Sequence, residues 1–180
     1  MSTRPIPSGK ADDSDGTAWE TRDPEAIIAF ILDHFHAPLR RDLPNLLRHA
    51  RLIEGEYGAS ALCPRGLGDH LEQVHLAVES HLAKEEKILF PLICAGRGGR
   101  GSMAFMPIKV MMAEHEDHVA GLRRTRLLTH DFSLPANASP AWRSLYADLQ
   151  VLEADLNQHI HLEDNVLFTR VMVGEHTPSL

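Results

Sequence analysis

Four long stretches in which apolar residues recur every three to four positions, parted by three breaks, confine this 180-residue chain to a narrow choice of folds. Asp23 followed by Pro24 opens the first stretch, with the carboxylate expected as N-cap and the proline at the first helical position. Its apolar face runs to about Ile53, where Gly55 and Gly58 are expected to end it. Pro38 and Pro44 fall inside and deprive the carbonyls of His34 and Arg40 of their usual donors, so this helix should bend or loosen there. The second runs from about Gly66 or Asp69 to Ile93, before a glycine-rich loop over 96–101. The third spans about Phe105 to Thr129, and the fourth opens at Ser139-Pro140 and continues to about Val173. No alternating strand pattern accompanies them. The expected fold is therefore all-α, an antiparallel up-and-down four-helix bundle over residues 23–173. Residues 1–22, rich in Ser, Asp, Pro and Gly, read as a disordered arm, and 174–180 as a flexible tail.

Charge and composition narrow the function classes. A formal net charge of -7 with no basic stripe argues against a nucleic-acid partner. Cys63 and Cys94 are too few for a disulfide framework or a thiolate metal site. The chain has no apolar run long enough for a bilayer and no charged-then-apolar leader, so a cytoplasmic protein without a membrane partner is the expectation. Twelve histidines are unusual, because a buried imidazole needs a hydrogen-bond partner and titrates near neutral pH. No run of consecutive histidines marks a tag, which leaves a metal site or a pH-responsive surface.

The faces those rings occupy separate the two. The first apolar stripe reads Leu32, His36, Leu39, Leu43, Leu46, Ala50, Ile53; the second Leu71, Val74, Val78, His81, Glu85, Ile88, Leu92. The third offers Ile108, Met111 or Met112, His115 and Leu122, and the fourth Leu145, Leu149, Leu152, Leu156, His159, Glu163, Val166. Each helix thus sets one histidine into its core face. Two also carry a glutamate, in H81-L-A-K-E85 and H159-I-H-L-E163. Residues four apart rise by about 6 Å and keep one face, so an imidazole and a carboxylate at that spacing can serve one pair of metals. One inward histidine is ordinary core; four from four helices with two inward carboxylates are not. Glu86 falls off the stripe. His34 shares its side with Arg41, Asn45 and Arg48 and points outward; His49 lies too far along the axis; His161 faces away from His159. His70, His130 and His176, near element ends or in the tail, are expected to be solvated. His75 and His118 are expected beside the ligands or along a channel.

Imidazole and carboxylate ligands suit zinc, iron or manganese. Six protein ligands exceed the needs of one zinc, and two bridging glutamates suit two metals about 3–4 Å apart. With two histidines and one oxygen from each glutamate per metal, octahedral iron keeps positions for an oxo or hydroxo bridge and a small exogenous ligand. The carboxylate-rich alternative, with E-x-x-H on two helices, is represented only by E72-Q-V-H75.

These residues resemble the hemerythrin-like domain of the iron–sulfur cluster repair di-iron proteins. The resemblance rests on F35-H36 followed by L43-P44, P64-R-G-L67, H81-L-A-K-E-E-K-I-L-F-P91, P107-I followed by E114-H115, W142-R-S-L-Y146 and D155-L-N-Q-H-I-H-L-E-D-N-V-L-F168, over about residues 24–173. It implies two non-haem irons that bind or process nitric oxide and help restore damaged iron–sulfur proteins under nitrosative or oxidative stress. It makes His36, His81, His115 and His159 terminal ligands and Glu85 and Glu163 bridges, the set the periodicity gives, and puts Glu114 and His118 near the site or its access path. Reduction of nitric oxide, oxygen binding or sensing, and iron storage or delivery remain alternatives. Many members carry an amino-terminal domain with an adjacent cysteine pair, where this sequence has a short acidic arm, and Thr169 stands where the family tends to place proline. A second histidine four residues after His115, used by oxygen-binding hemerythrins, is Val119 here.

Overall fold

In a computed structural model the described residues, 19–174, are helical apart from their connections, with no strand among them. Four rods form an all-α bundle. The first is α1 (Pro24–Ile31), a π-helical turn (Leu32–His36) and α2 (Ala37–Tyr57). The second is α3 (Leu67–Lys84), a π-helical turn (Glu85–Leu89) and α4 (Phe90–Cys94). The third is the uninterrupted α5 (Phe105–Leu128). The fourth is α6 (Pro140–His161), a π-helical turn (Leu162–Phe168) and α7 (Thr169–Val173). No helix among the described residues is long and apolar enough to cross a membrane.

The termini follow local chemistry, with corrections. Ser139 caps α6 as expected, its Oγ accepting from the Trp142 N–H at 3.2 Å. The Asp23 carboxylate makes no such bond; its backbone carbonyl accepts from Ala26 and Ile27 instead. Gly55 lies inside α2, which runs on to Tyr57. Loosening of the first rod occurs as the π-helical turn just before Pro38, where the Ala37 N–H reaches back to the Leu32 carbonyl, whereas Pro44 sits within continuous α-helix. Of the arm expected over 1–22, residues 1–18 lie outside the described residues. Trp19–Thr21 forms a short 3-10 turn, with the Trp19 ring against Phe30 at 4.5 Å and an Arg170 Nη1 donating to the Arg22 carbonyl at 2.7 Å. His176 and residues 175–180 also lie outside.

The core divides in two. One apolar cluster packs Leu39, Leu43, Leu46 and Ile53 of α2 against Leu71, Val78 and Leu82 of α3 and Trp142, Leu149 and Leu156 of α6. The other gathers Ile27, Ile31 and Phe35 with Leu89, Phe90, Ile93, Ile108, Met111, Leu167 and Phe168. Between them lies a layer of buried histidine and glutamate at the level of the three π-helical turns. A π-helical turn inserts a residue into the helical repeat, and such turns concentrate at functional sites. Here the inserted residue shifts the phase of the positions beyond it: Ile88, expected on the core face, is 53% exposed and Leu89 takes its place at 1%.

Candidate metal centre

His36 closes the first π-helical turn, Glu85 opens the second and Glu163 lies at the start of the third, so each rod break delivers a polar side chain inward. His81 and His159 come from the last turns of α3 and α6, and His115 from the middle of α5. All six are at most 2% exposed, and both glutamates are wholly buried. Glu85 lies between His36 and His81: its Oε2 is 3.4 Å from His36 Nε2 and its Oε1 3.4 Å from His81 Nε2. Glu163 lies in the same way between His115 Nε2, at 3.1 Å, and His159 Nε2, at 3.0 Å. Across the centre His81 Nε2 and His115 Nε2 stand 3.1 Å apart.

Two overlapping groups result. His36, His159, Glu85 and Glu163 offer ligand atoms within 4.8 Å of one another, as do His81, His115, Glu85 and Glu163. Both carboxylates belong to both groups, so the arrangement is suited to a binuclear metal site. The hydrogen-bond balance fits that use. All four carboxylate oxygens of Glu85 and Glu163, with His36 Nε2 and His159 Nε2, are buried without a hydrogen-bond partner among the described residues. Carboxylates left so are costly unless a cation compensates them. In the metal-free chain protons do this in part. Burial alone would lower the pKa of His115, but Asp164 and Glu163 more than offset it and raise it to about 10. His36 and His81 are likewise raised against the pull of burial, chiefly by Glu85. The Glu163 carboxyl, although buried, is held well below the carboxylate range by His159 and His115.

Behind these groups stands a ring of acids. Glu114 Oε2 accepts from His81 Nδ1 at 3.0 Å and pairs with Lys84. Glu86 Oε1 accepts from His36 Nδ1 at 2.8 Å and from an Arg40 Nη1 at 2.6 Å. Asp164 Oδ1 accepts from His115 Nδ1 at 2.9 Å. Glu86, off the apolar stripe as expected, thus meets a histidine of another rod, and Asp164 escaped sequence reasoning altogether. The signal was present: an acid directly follows each inward glutamate, as E85-E86 and E163-D164.

The remaining histidines sort by burial. His118 is buried one turn beyond His115, its ring edge-on to His81 at 4.9 Å, and burial with His81 and His115 nearby pushes its pKa down to about 4. His75 is half-buried, and neither residue belongs to the two ligand groups. His34, His49, His130 and His161 are exposed. His70 corrects its expectation of solvation: it is 6% exposed, and its Nε2 meets the Gly121 carbonyl and Thr125 Oγ1, both at 3.0 Å.

Residues 28–171 match the family profile described as the hemerythrin HHE cation binding domain. The chain is similar to the iron–sulfur cluster repair protein YtfE of Pectobacterium carotovorum subsp. carotovorum (strain PC1), with 38% identity over 165 residues, 92% of this chain and 73% of that protein. It is 40% identical to the YtfE protein of Dickeya chrysanthemi (strain Ech1591) over 157 residues, 87% of this chain and 70% of the relative. The YtfE protein of Yersinia pseudotuberculosis serotype IB (strain PB1/+) is 38% identical with the same coverage.

Proposed function

The chain belongs to the hemerythrin HHE cation-binding family and is a homologue of the iron–sulfur cluster repair proteins YtfE, and from that membership we propose that it holds two non-haem irons, binds or processes nitric oxide, and serves the repair of damaged iron–sulfur proteins. The observation that carries this reading is the pair of wholly buried carboxylates without hydrogen-bond partners among the described residues, each set between two imidazole nitrogens. His36, His159, His81 and His115 would supply the terminal nitrogens, and Glu85 and Glu163 the shared oxygens. Two irons, when bound, supply redox-active Lewis acidity toward a small diatomic ligand.

The chain's own residues set what can reach that centre. Phe35, Leu89, Leu162, Val166 and Phe168 lie in the apolar cluster on one side, and Val78, Leu82, Leu152 and Leu156 in the cluster on the other. A hydrated anion would have to shed its water to pass such walls, whereas an uncharged diatomic would not. Glu86, Glu114 and Asp164 fix the Nδ1 side of three rings, which leaves each Nε2 directed at the centre. The buried His118, with its Nε2 unpartnered among the described residues, lines the wall beside His81.

The test is anaerobic loading of the full chain with ferrous iron, elemental analysis, and electron paramagnetic resonance after exposure to nitric oxide or, separately, oxygen. About two irons per chain and a new paramagnetic signal with nitric oxide are expected. Less than about one iron per chain with zinc in excess would overturn the iron assignment. A reversible oxygen adduct without any response to nitric oxide would move the protein to the oxygen carriers.

A further inference from the structure

An imidazole that binds a metal through Nε2 is a better donor when its Nδ1–H is held by a carboxylate, which fixes the tautomer and raises the basicity of the ring. The four candidate ligands differ in this respect. His81 and His115 both have a carboxylate at Nδ1, from Glu114 and Asp164 at 3.0 and 2.9 Å. His36 has Glu86 at 2.8 Å, and Glu86 shares that same oxygen with Arg40. His159 has none: both its ring nitrogens are buried without a hydrogen-bond partner among the described residues. Ring contacts hold it instead, stacked on Phe35 at 5.2 Å between centroids and edge-on to His36 at 5.1 Å.

Because Glu85 and Glu163 are common to both groups, they do not distinguish the two positions; the rings behind them do. Both imidazoles of the His81/His115 position are carboxylate-backed, and only one of the His36/His159 position is. Glu114 is drawn toward Lys84 much as Glu86 is toward Arg40, but among the described residues no lysine or arginine pairs with Asp164, so its charge acts undivided on His115. We propose that the two metal positions are unequal: the His81/His115 position fills first and holds its metal, and the His36/His159 position fills second and exchanges. This rests on the binuclear reading of the site. Asp164 and Glu114 are positioning residues for the first position and Glu86 for the second.

Cobalt(II) is a suitable probe, because its visible absorbance reports each nitrogen-ligated ion as it binds. Metal-free full-length protein titrated anaerobically should give two steps whose constants differ by about 10-fold or more, the usual effect of such hydrogen-bonding partners on metal affinity. Asp164→Asn should weaken the tighter step by about 10–100-fold and collapse the separation, whereas Glu86→Gln should weaken the looser step and widen it. Asp164→Glu, which restores the carboxylate, should restore the separation; a role in folding alone would move both steps together. Circular dichroism checks the fold, and Glu114→Gln, expected to act as Asp164→Asn does, keeps the test open if that variant is unfolded. Two equal steps in the unmodified protein, or an Asp164→Asn effect on the looser step, would overturn the inequality while leaving the binuclear site standing. Failure to take up two cobalt ions at all would overturn the binuclear reading and the inequality with it.

Discussion

His115 and Asp164, forty-nine positions apart in the chain, meet at 2.9 Å between Nδ1 and Oδ1, and the other nitrogen of the same ring faces Glu163 at 3.1 Å. One imidazole thus joins the residue after an inward glutamate to the glutamate itself. Held between two carboxylates, His115 keeps its proton in the metal-free chain up to about pH 10, although burial alone would have driven it off. His36 and His81 are shifted the same way.

Metal loading should therefore release protons. The folded pKa of His115, about 10, lies above its unfolded value of about 6.5, so its contribution to metal-free stability is complete below that value and fades as pH rises toward 10. A metal at Nε2 competes with that proton, so apparent affinity should climb with pH across the neutral range. Calorimetric titration at pH 7 in two buffers of different ionisation enthalpy should show at least about one proton released per chain. Identical heats in both buffers would refute the protonated state of His115 in the metal-free chain.

Glu85 tests whether the metal supports the fold. Glu85→Gln keeps the shape of a wholly buried side chain but removes the charge that both ligand groups share. Free metal at one hundred times its dissociation constant stabilises a native state that alone binds it by about 2.7 kcal/mol. For a domain of this size that is roughly 5–10 °C in melting temperature. The unmodified protein should show such a rise on adding metal, and the Gln variant little or none. A rise of equal size in both would remove Glu85 from the ligand set.

Much of this was legible in the sequence because helical periodicity is a long-range regularity. His36, His81, His115 and His159 each sit in an otherwise apolar stripe, and the H-x-x-x-E spacing places a glutamate one turn away. Three things were not legible, for different reasons. Glu86 and Asp164 act on imidazoles of other rods, and no pattern along one helix encodes a partner fifty or forty-nine positions away. His70 lies at the start of α3, where exposure is the default, yet it is covered by α5 through Gly121 and Thr125. The π-helical turns leave no mark in a period of 3.6, so in the second rod Ile88 and Leu92 were read as core where Leu89 and Ile93 are buried.

His70 carries a pH dependence opposite in sign to that of the site. Burial lowers its pKa, and the nearby Arg124 adds to this, while the hydrogen bond to the Gly121 carbonyl only partly opposes it. Its folded pKa thus lies below the unfolded value, so the ring is stable as the neutral form and native stability is lost as pH falls below about 6.5. Denaturant melts of the metal-free protein and of His70→Gln, taken from pH 7.5 to 5, should show the unmodified protein losing more stability on acidification. The contributions of the site cancel in that difference. At pH 7.5 the variant should itself be less stable by about 1–2 kcal/mol through its altered buried hydrogen bonds. Parallel pH curves would mean that His70 is already solvated.

The π-helical turn over Glu85–Leu89 decides which of two neighbouring apolar side chains reaches the core. Continued as ordinary α-helix, α3 would bring both Ile88 and Leu89, three and four positions after Glu85, to the two edges of the stripe that holds His81 and Glu85. The extra residue in the turn parts them: Leu89 is 1% exposed within the cluster that holds Ile93, Met111 and Phe168, and Ile88 is 53% exposed. Truncating a buried leucine costs about 2–5 kcal/mol through lost transfer energy and the cavity left behind. An exposed isoleucine away from special contacts costs about 0.5 kcal/mol or less. Leu89→Ala should therefore lower the denaturation midpoint sharply and Ile88→Ala hardly at all. The metal stoichiometry of folded Leu89→Ala should be unchanged, because Glu85 precedes the inserted residue. If Ile88→Ala were the more damaging change, the turn would not part the two side chains in this way.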